Sequence, residues 1–112
     1  FAQDPAAQRL ALDGVKQGTD RALIPAQRAF FYLPFEHAED VELQRLSTRS
    51  FRRLAAEVAL GWRGEYASFA DYAGHHCDIV ERFGRFPHRN KILGRASTPE
   101  ETEFLKQPGS SF

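Results

Sequence analysis

Apolar residues recur every three or four positions through most of this sequence, and this helical period is the feature that most restricts the fold. The clearest example is one stripe that we expect to face the core, formed by Leu43, Leu46, Ser50, Leu54 and Val58. No stretch alternates apolar and polar residues with the period of a strand over a useful length. The pattern therefore predicts an all-α domain built from antiparallel helical hairpins joined by short loops.

Proline, glycine and capping residues mark where these helices begin and end. Asp4, Asp40 and Thr98 are expected N-caps, because their side-chain oxygens can accept hydrogen bonds from the first turn of a helix. Together these signals predict five helices, over about 5–17, 26–38, 41–60, 66–83 and 99–107. We expect the second helix to kink at Pro34 and continue to Ala38, because no glycine or further proline interrupts it.

The charge balance and the cysteine content exclude several classes of protein. The 112 residues include 15 basic and 15 acidic ones, which argues against a dedicated nucleic-acid binder. No apolar run approaches the roughly 20 residues needed to cross a bilayer, so no membrane partner is expected. Cys77 is the single cysteine, so the chain forms no internal disulfide and a reducing, cytoplasmic location is expected.

The most polar segment follows the fourth predicted helix. It holds five candidate ligand-binding residues: Arg82, Arg85, His88, Arg89 and Asn90. Two phenylalanines are spaced to anchor its backbone, and the region 85–96 is expected to be irregular or a single turn. Anchored guanidinium groups could hold a phosphate or a carboxylate. The alternative is that acidic residues of the fold itself neutralise these arginines.

A second candidate site lies at the predicted kink. Glu36 and His37 could act as general acid and base there, and His76, on the apolar side of the fourth helix, could be a partly buried, pKa-shifted group that faces a cleft. The alternatives are a charged helix junction for the first two residues and a hydrogen-bonded core residue for His76. No pair of ligands has metal-binding spacing, so neither a metal nor a cofactor is expected. Cys77 has apolar neighbours and is expected to be a buried, unreactive thiol.

Two long motifs resemble a known family. The first is FFYLPFEH at 30–37; the second is RFGRFPHRN at 82–90, followed by Leu93-Gly94-Arg95 and Thr98-Pro99-Glu100-Glu101. With them the chain resembles, over nearly its whole length, a bacterial family of unknown function in the tetratricopeptide-repeat-like superfamily. The resemblance implies a right-handed superhelical arrangement of stacked helices. It also implies that 1–112 is a single helical domain forming the C-terminal part of a longer one, whose upstream helices would complete the core and any site.

The resemblance supplies no activity that could be transferred. The polar positions of the family motifs correspond here to Glu36, His37, Glu39, His76, Arg82, Arg85, His88, Arg89 and Asn90. The chain departs from the pattern at Ala38, where serine is common, and in the loop 61–64 around Trp62. A role for a hydroxyl group at position 38 is therefore in doubt.

Three functions remain open at this point. The leading hypothesis is a helical binding or scaffold protein whose arginine- and histidine-rich pocket takes an anionic small molecule or a peptide carboxylate. The first alternative is a small hydrolase that uses the Glu36, His37 and His76 side chains, with arginines stabilising developing charge. The second is a structural protein that assembles into homo-oligomers through an exposed apolar surface.

Overall fold

Five α-helices and three single turns of 3₁₀-helix form the structure, a computed structural model that describes residues 5–112. The α-helices are α1 (Pro5–Gln17), α2 (Pro25–Glu36), α3 (Val41–Glu57), α4 (Arg63–Phe83) and α5 (Pro99–Leu105). The 3₁₀ turns are Thr19–Ala22, Leu60–Trp62 and Pro87–Arg89. Residues 5–112 contain no strand, so the all-α prediction is confirmed.

Local sequence signals explain most of the helix ends. The Asp40 carboxylate accepts a hydrogen bond from the Leu43 amide at 2.9 Å and caps α3. Thr98 and Glu101 form the predicted reciprocal capping box at the start of α5. Gly84 ends α4 with φ of 74°, a left-handed conformation that side chains with a Cβ adopt poorly. The predicted cap Asp4 lies outside the described residues.

Pro34 lies inside α2 and does not end it. Because proline has no amide hydrogen, the Phe30 carbonyl receives no helical hydrogen bond from this position. The helix nevertheless continues to Glu36, and the His37 amide donates to the Leu33 carbonyl at 3.0 Å. Continuation through the proline was predicted correctly, but α2 ends two residues before Ala38.

The connection between α3 and α4 differs from the prediction. α3 ends at Glu57 rather than near Leu60, because Val58 is buried in an extended conformation, with ψ of 157°. α4 begins at Arg63, earlier than predicted, and Gly64 belongs to its first turn rather than to the loop. No side chain caps α4, so the sequence carried no signal for this start.

The main core lies where α3 packs against α2 and α4. Its fully buried members include Tyr32, Phe35, Phe51, Leu54 and Ala73. The buried face of α3 also includes Gln44 and Ser47, while Leu43 and Leu46 are only half-buried. Ile79, Val80 and Phe86 form a second buried cluster, and Phe104 of α5 packs against it. This cluster holds the segment that follows α4 close to α5.

Fully buried Gln44 has a specific partner. Its side-chain amide nitrogen donates to the carbonyls of Glu36 at 2.6 Å and Ala38 at 2.8 Å. These carbonyls lie at and just beyond the C-terminus of α2, where helical hydrogen bonds run out. Gln44 therefore ties the end of α2 to α3.

Within residues 5–112, none of the helices combines the length and the apolar character that a membrane span requires.

Candidate functional site

The predicted binding segment comprises the last two residues of α4 and the turn that leads from it towards α5, here called the arginine turn (residues 82–95). The turn is anchored by Phe86, which is fully buried, and by buried Pro87. The Phe86 amide donates a hydrogen bond to the Glu39 carboxylate at 2.7 Å. A buried phenylalanine therefore anchors the backbone of this segment, as expected from the sequence.

Arg85 is bound to a buried acid of α5. Its Nε and one terminal nitrogen donate to the two carboxylate oxygens of Glu101 at 2.9 and 2.7 Å, and it also donates to the Ala96 carbonyl at 2.9 Å. Such a bidentate pair is the strongest common form of ion pair. Arg85, together with the capping hydrogen bond of Thr98, lowers the pKa of Glu101 to about 2.

Arg95 makes a second bidentate pair, with Glu39 at 2.8 and 2.9 Å. Its Nε also donates to the Asn90 side-chain oxygen at 3.0 Å. The Asn90 amide group, almost completely buried, donates to Ser97 at 3.1 Å and approaches Glu101 at 3.5 Å. Asn90 thus links the two ion pairs into one network and presents no free polar group to solvent.

The remaining candidates of the turn differ from one another. Arg82 pairs with Glu100 at 3.0 Å on the surface. Arg89 has no carboxylate within 4 Å among residues 5–112; it donates to the His37 carbonyl at 2.9 Å and lies 4.4 Å above the Phe86 ring. The Nδ1 atom of His88 is buried without a hydrogen-bond partner in the described structure. Arg89 therefore lacks a carboxylate partner, and His88 retains an unused ring nitrogen.

The three residues considered for acid–base chemistry lie together although they come from two helices. The Glu36 carboxylate is 3.7 Å from Nδ1 of His76, and the rings of His37 and His76 are 5.9 Å apart. Glu36 is the last residue of α2, His37 follows it directly, and the middle of α4 supplies His76. The structure thus brings Glu36, His37 and His76 into one cluster, here called the Glu–His cluster.

The tautomer of His76 follows from its one hydrogen bond. Nδ1 is 2.8 Å from the Tyr72 carbonyl, which can only accept, so Nδ1 carries the proton. Nε2 is then a bare acceptor, and it is buried without a partner in the described part of the chain. Burial lowers the pKa of His76 to about 4, so the ring is neutral near pH 7. The ring of Phe112 stacks on it with 3.6 Å between centroids.

Glu36 is buried with little to stabilise its charge. Its side chain is 5% exposed, and its carboxyl group receives no hydrogen bond from any residue in 5–112. Burial raises its pKa to about 7. Burial likewise lowers the pKa of His37, and the nearby Arg89 charge lowers it further.

An apolar groove between α2 and α4, here called the α2–α4 groove, opens beside the Glu–His cluster. Its volume is about 510 Å³. Its polar lining consists of Glu36, His37 and Ser68, and its apolar lining consists of Ala29, Phe30, Leu33, Phe51, Phe69 and Tyr72. The groove is an apolar trough with ionisable groups among its lining, and this trough is separate from the paired arginines of the turn.

Several features of this site could not be seen in the sequence. The aromatic run 30–33 indicates a helix buried on most faces, but Phe30 is 75% exposed on the groove side. The helical spacing of Phe69 and Tyr72 likewise indicates a core stripe of α4, but these residues are 44% and 49% exposed. The helical pattern fails here because no described element covers that side of α2 and α4. His75 donates a hydrogen bond to the Gly109 carbonyl at 2.7 Å, a contact between residues 34 positions apart.

Comparisons with known proteins agree on a relationship and give no activity. A family model described as "Bacterial protein of unknown function (DUF924)" matches residues 1–109. A solved structure from Agrobacterium tumefaciens, described as protein of unknown function ATU0120, is similar at a TM-score of 0.74 and 42% sequence identity. The match covers 91% of this chain and 52% of that one, so this chain spans about half the length of its structural relative. Curated proteins give no match.

Proposed function

This chain belongs to DUF924, a family of bacterial proteins of unknown function, and we propose that it is a helical binding domain whose ligand occupies the α2–α4 groove. The observation that carries this proposal is the combination of an open apolar trough of about 510 Å³ with a few ionisable groups in its lining. Ligand sites commonly have this composition, because apolar walls supply most of the binding free energy and a few polar groups fix the orientation.

The exposure of large aromatic side chains supports the choice of this surface. Phe30, Phe69 and Tyr72 all line the groove and all remain substantially accessible to solvent. A contiguous apolar patch on a folded domain is unfavourable in water unless something binds it. In the arginine turn, by contrast, most donors already contact carboxylates and carbonyls.

An anionic ligand at the arginine turn is a second candidate, and one observation favours it. Arg89 has no carboxylate partner within 4 Å in residues 5–112, and its neighbour His88 has an unpartnered ring nitrogen. A phosphate or a peptide carboxylate could therefore contact Arg89, while Arg82, Arg85 and Asn90 hold the turn in place. The hydrolase alternative rests on the Glu–His cluster, and the assembly alternative rests on the same exposed aromatic patch as the groove.

The tetratricopeptide-like superhelix and the cytoplasmic location also remain proposals. The packing of α1 on α2, α2 on α3 and α3 on α4 supports the former, because helices that are neighbours in sequence are neighbours in space, as in a solenoid. The single cysteine supports a reducing compartment.

Binding of the neutral dye Nile red tests the groove directly. Phe69→Glu places a charge in the groove at a half-exposed position and should weaken dye binding at least tenfold. Ile92→Glu is the matched control, because Ile92 is 88% exposed and lies outside the groove, and it should leave binding unchanged. Equal binding by both variants, measured by fluorescence titration with circular dichroism to verify folding, would contradict the proposal.

A further inference from the structure

Glu36 differs from the other buried acids of the described chain. Asp20 and Glu101 are also buried, but Asp20 accepts a hydrogen bond from the Tyr32 hydroxyl and Glu101 accepts two from Arg85. Glu36 receives none within residues 5–112, and it is one of the residues that line the α2–α4 groove. A buried carboxylate without a donor is costly, so a ligand that supplies a donor would gain this interaction.

The hydrogen-bond donors around Glu36 already donate to other acceptors. The proton on Nδ1 of His76, 3.7 Å away, is donated to the Tyr72 carbonyl. The Gln44 amide nitrogen gives both of its hydrogens to backbone carbonyls. Arg89 bonds the backbone carbonyl of His37 and forms no ion pair with the Glu36 carboxylate. Residues 5–112 therefore leave the Glu36 carboxylate without a hydrogen-bond donor of its own.

We propose that the α2–α4 groove selects small molecules that carry a primary ammonium group on an apolar body, with the Glu36 carboxylate as the counter-ion. This inference rests on the proposed binding function of the groove. The ammonium group would donate charge-assisted hydrogen bonds to Glu36, and the aromatic walls would cover the apolar body. The ring of Tyr72 adds a face that attracts cations.

The same geometry disfavours the other head groups. A carboxylate or phosphate placed beside Glu36 would meet a like charge in a poorly hydrated site, which is repulsive. A hydroxyl group can donate one hydrogen bond to Glu36 but carries no charge to balance it. The expected order of affinity is therefore ammonium, then hydroxyl, then carboxylate for one and the same apolar body.

A matched ligand series tests this order. Hexylamine, 1-hexanol and hexanoate share an alkyl chain, and each would be titrated into the full 112-residue chain at pH 8 and followed by ¹H–¹⁵N NMR shifts. Hexylamine should bind at least tenfold more tightly than 1-hexanol, and hexanoate should bind more weakly than either. The shifted amides should lie on α2 and α4 around the groove.

Two variants assign the preference to one side chain. Glu36→Gln preserves the shape but removes the charge, and it should reduce hexylamine affinity to about that of 1-hexanol while 1-hexanol affinity stays the same. Glu65→Gln removes an equal charge from the exposed first turn of α4 and should leave the preference intact. The wild-type series decides the question alone if Glu36→Gln does not fold.

The outcomes separate this inference from the proposed function. If 1-hexanol binds in the groove as tightly as hexylamine, or hexanoate binds best, the groove is a binding site but the ammonium inference is wrong. If none of the three shifts groove amides and Nile red also fails to bind, both are wrong. If light scattering shows dimers that Phe69→Glu dissociates, the groove is occupied by a second copy and the ammonium inference is overturned.

Discussion

The arginine turn and the Glu–His cluster are both rich in ionisable groups, but they use them in opposite ways. In the turn, Arg85 and Arg95 each hold a carboxylate in a bidentate pair, and Asn90 joins the two pairs. In the cluster, buried Glu36 receives no hydrogen bond from residues 5–112, and Nε2 of buried His76 has no partner among them. The density of charged residues in a sequence therefore indicates where a polar network forms, whereas the absence of partners indicates where a ligand could bind.

The physical basis of this contrast is the different cost of burial. A paired carboxylate keeps its charge, so the pKa of Glu101 falls to about 2. A buried carboxylate without a pair is destabilised in its charged form, so the pKa of Glu36 rises to about 7. At neutral pH an ionised glutamate thus stabilises the fold at the arginine turn and destabilises it in the Glu–His cluster.

Removal of the central acid of the turn should have the largest effect. Glu101→Ala leaves Arg85 and Asn90 without their shared partner and removes half of the capping box of α5. Breaking a partly buried pair of this kind should lower the free energy of unfolding by roughly 3–5 kcal/mol. Urea denaturation, monitored by circular dichroism, measures this loss of unfolding free energy. Glu103→Ala, on the exposed side of the same helix, is the control and should lower the free energy of unfolding by less than about 0.5 kcal/mol. Equal losses in the two variants would show that the buried pair of the turn contributes no more than an exposed acid.

Glu36→Gln should have the opposite sign. The folded pKa of about 7 lies above the ordinary value of 4.5, so the ionised carboxyl group destabilises the fold progressively as pH rises from about 4.5 through 7. At pH 8 the variant should therefore be more stable than the wild type by roughly 2–3 kcal/mol, with little difference at pH 4. A variant that is less stable at pH 8 would show that Glu36 is paired.

The pH dependence of the wild type provides a further check on the cluster. His76 has a folded pKa of about 4, below the ordinary 6.5, so its contribution to stability is lost as pH falls from about 6.5 through 4. Glu36 changes stability in the opposite direction over nearly the same interval, so the two contributions largely cancel. Glu36→Gln should unmask the histidine, and its unfolding free energy should rise more steeply between pH 4.5 and 6.5 than that of the wild type.

Arg89→Met should cost less than the loss of either bidentate pair. The substitution removes one hydrogen bond to the His37 carbonyl and the contact with the Phe86 ring but retains apolar volume. We expect a loss of about 1–2 kcal/mol in urea denaturation. Sulfate titrations of this variant and the wild type test the anionic candidate, since a sulfate-dependent rise in Tm that persists in the variant would exclude Arg89 as its site.

Arg82→Ala should have the smallest effect. Arg82 and Glu100 are both half or more exposed, and exposed pairs of this kind contribute at most about 0.5 kcal/mol. The measurement compares its urea midpoint with that of the wild type. A loss as large as that of Glu101→Ala would show that burial does not distinguish the pairs of the turn.

Much of the local structure could be predicted because its causes are local. The Asp40 cap, the Thr98–Glu101 capping box and the left-handed Gly84 each act within one helical turn. The pairing of the candidate residues could not be predicted from such local signals. Glu39 and Arg95 are 56 positions apart, and His37 and Arg89 are 52 positions apart, so only the packing of the α2–α3 connection against the arginine turn brings them together.

The sequence alone determined that this chain is helical and where most helices begin and end, because hydrophobic period and capping chemistry act over a few residues. It also marked both polar segments as unusual. Only the tertiary structure decided which ionisable groups are satisfied: Arg85 meets Glu101, whereas Glu36 meets no donor in the described chain. The reason is that burial and pairing depend on distances between distant parts of the chain, and these distances are set when the helices pack.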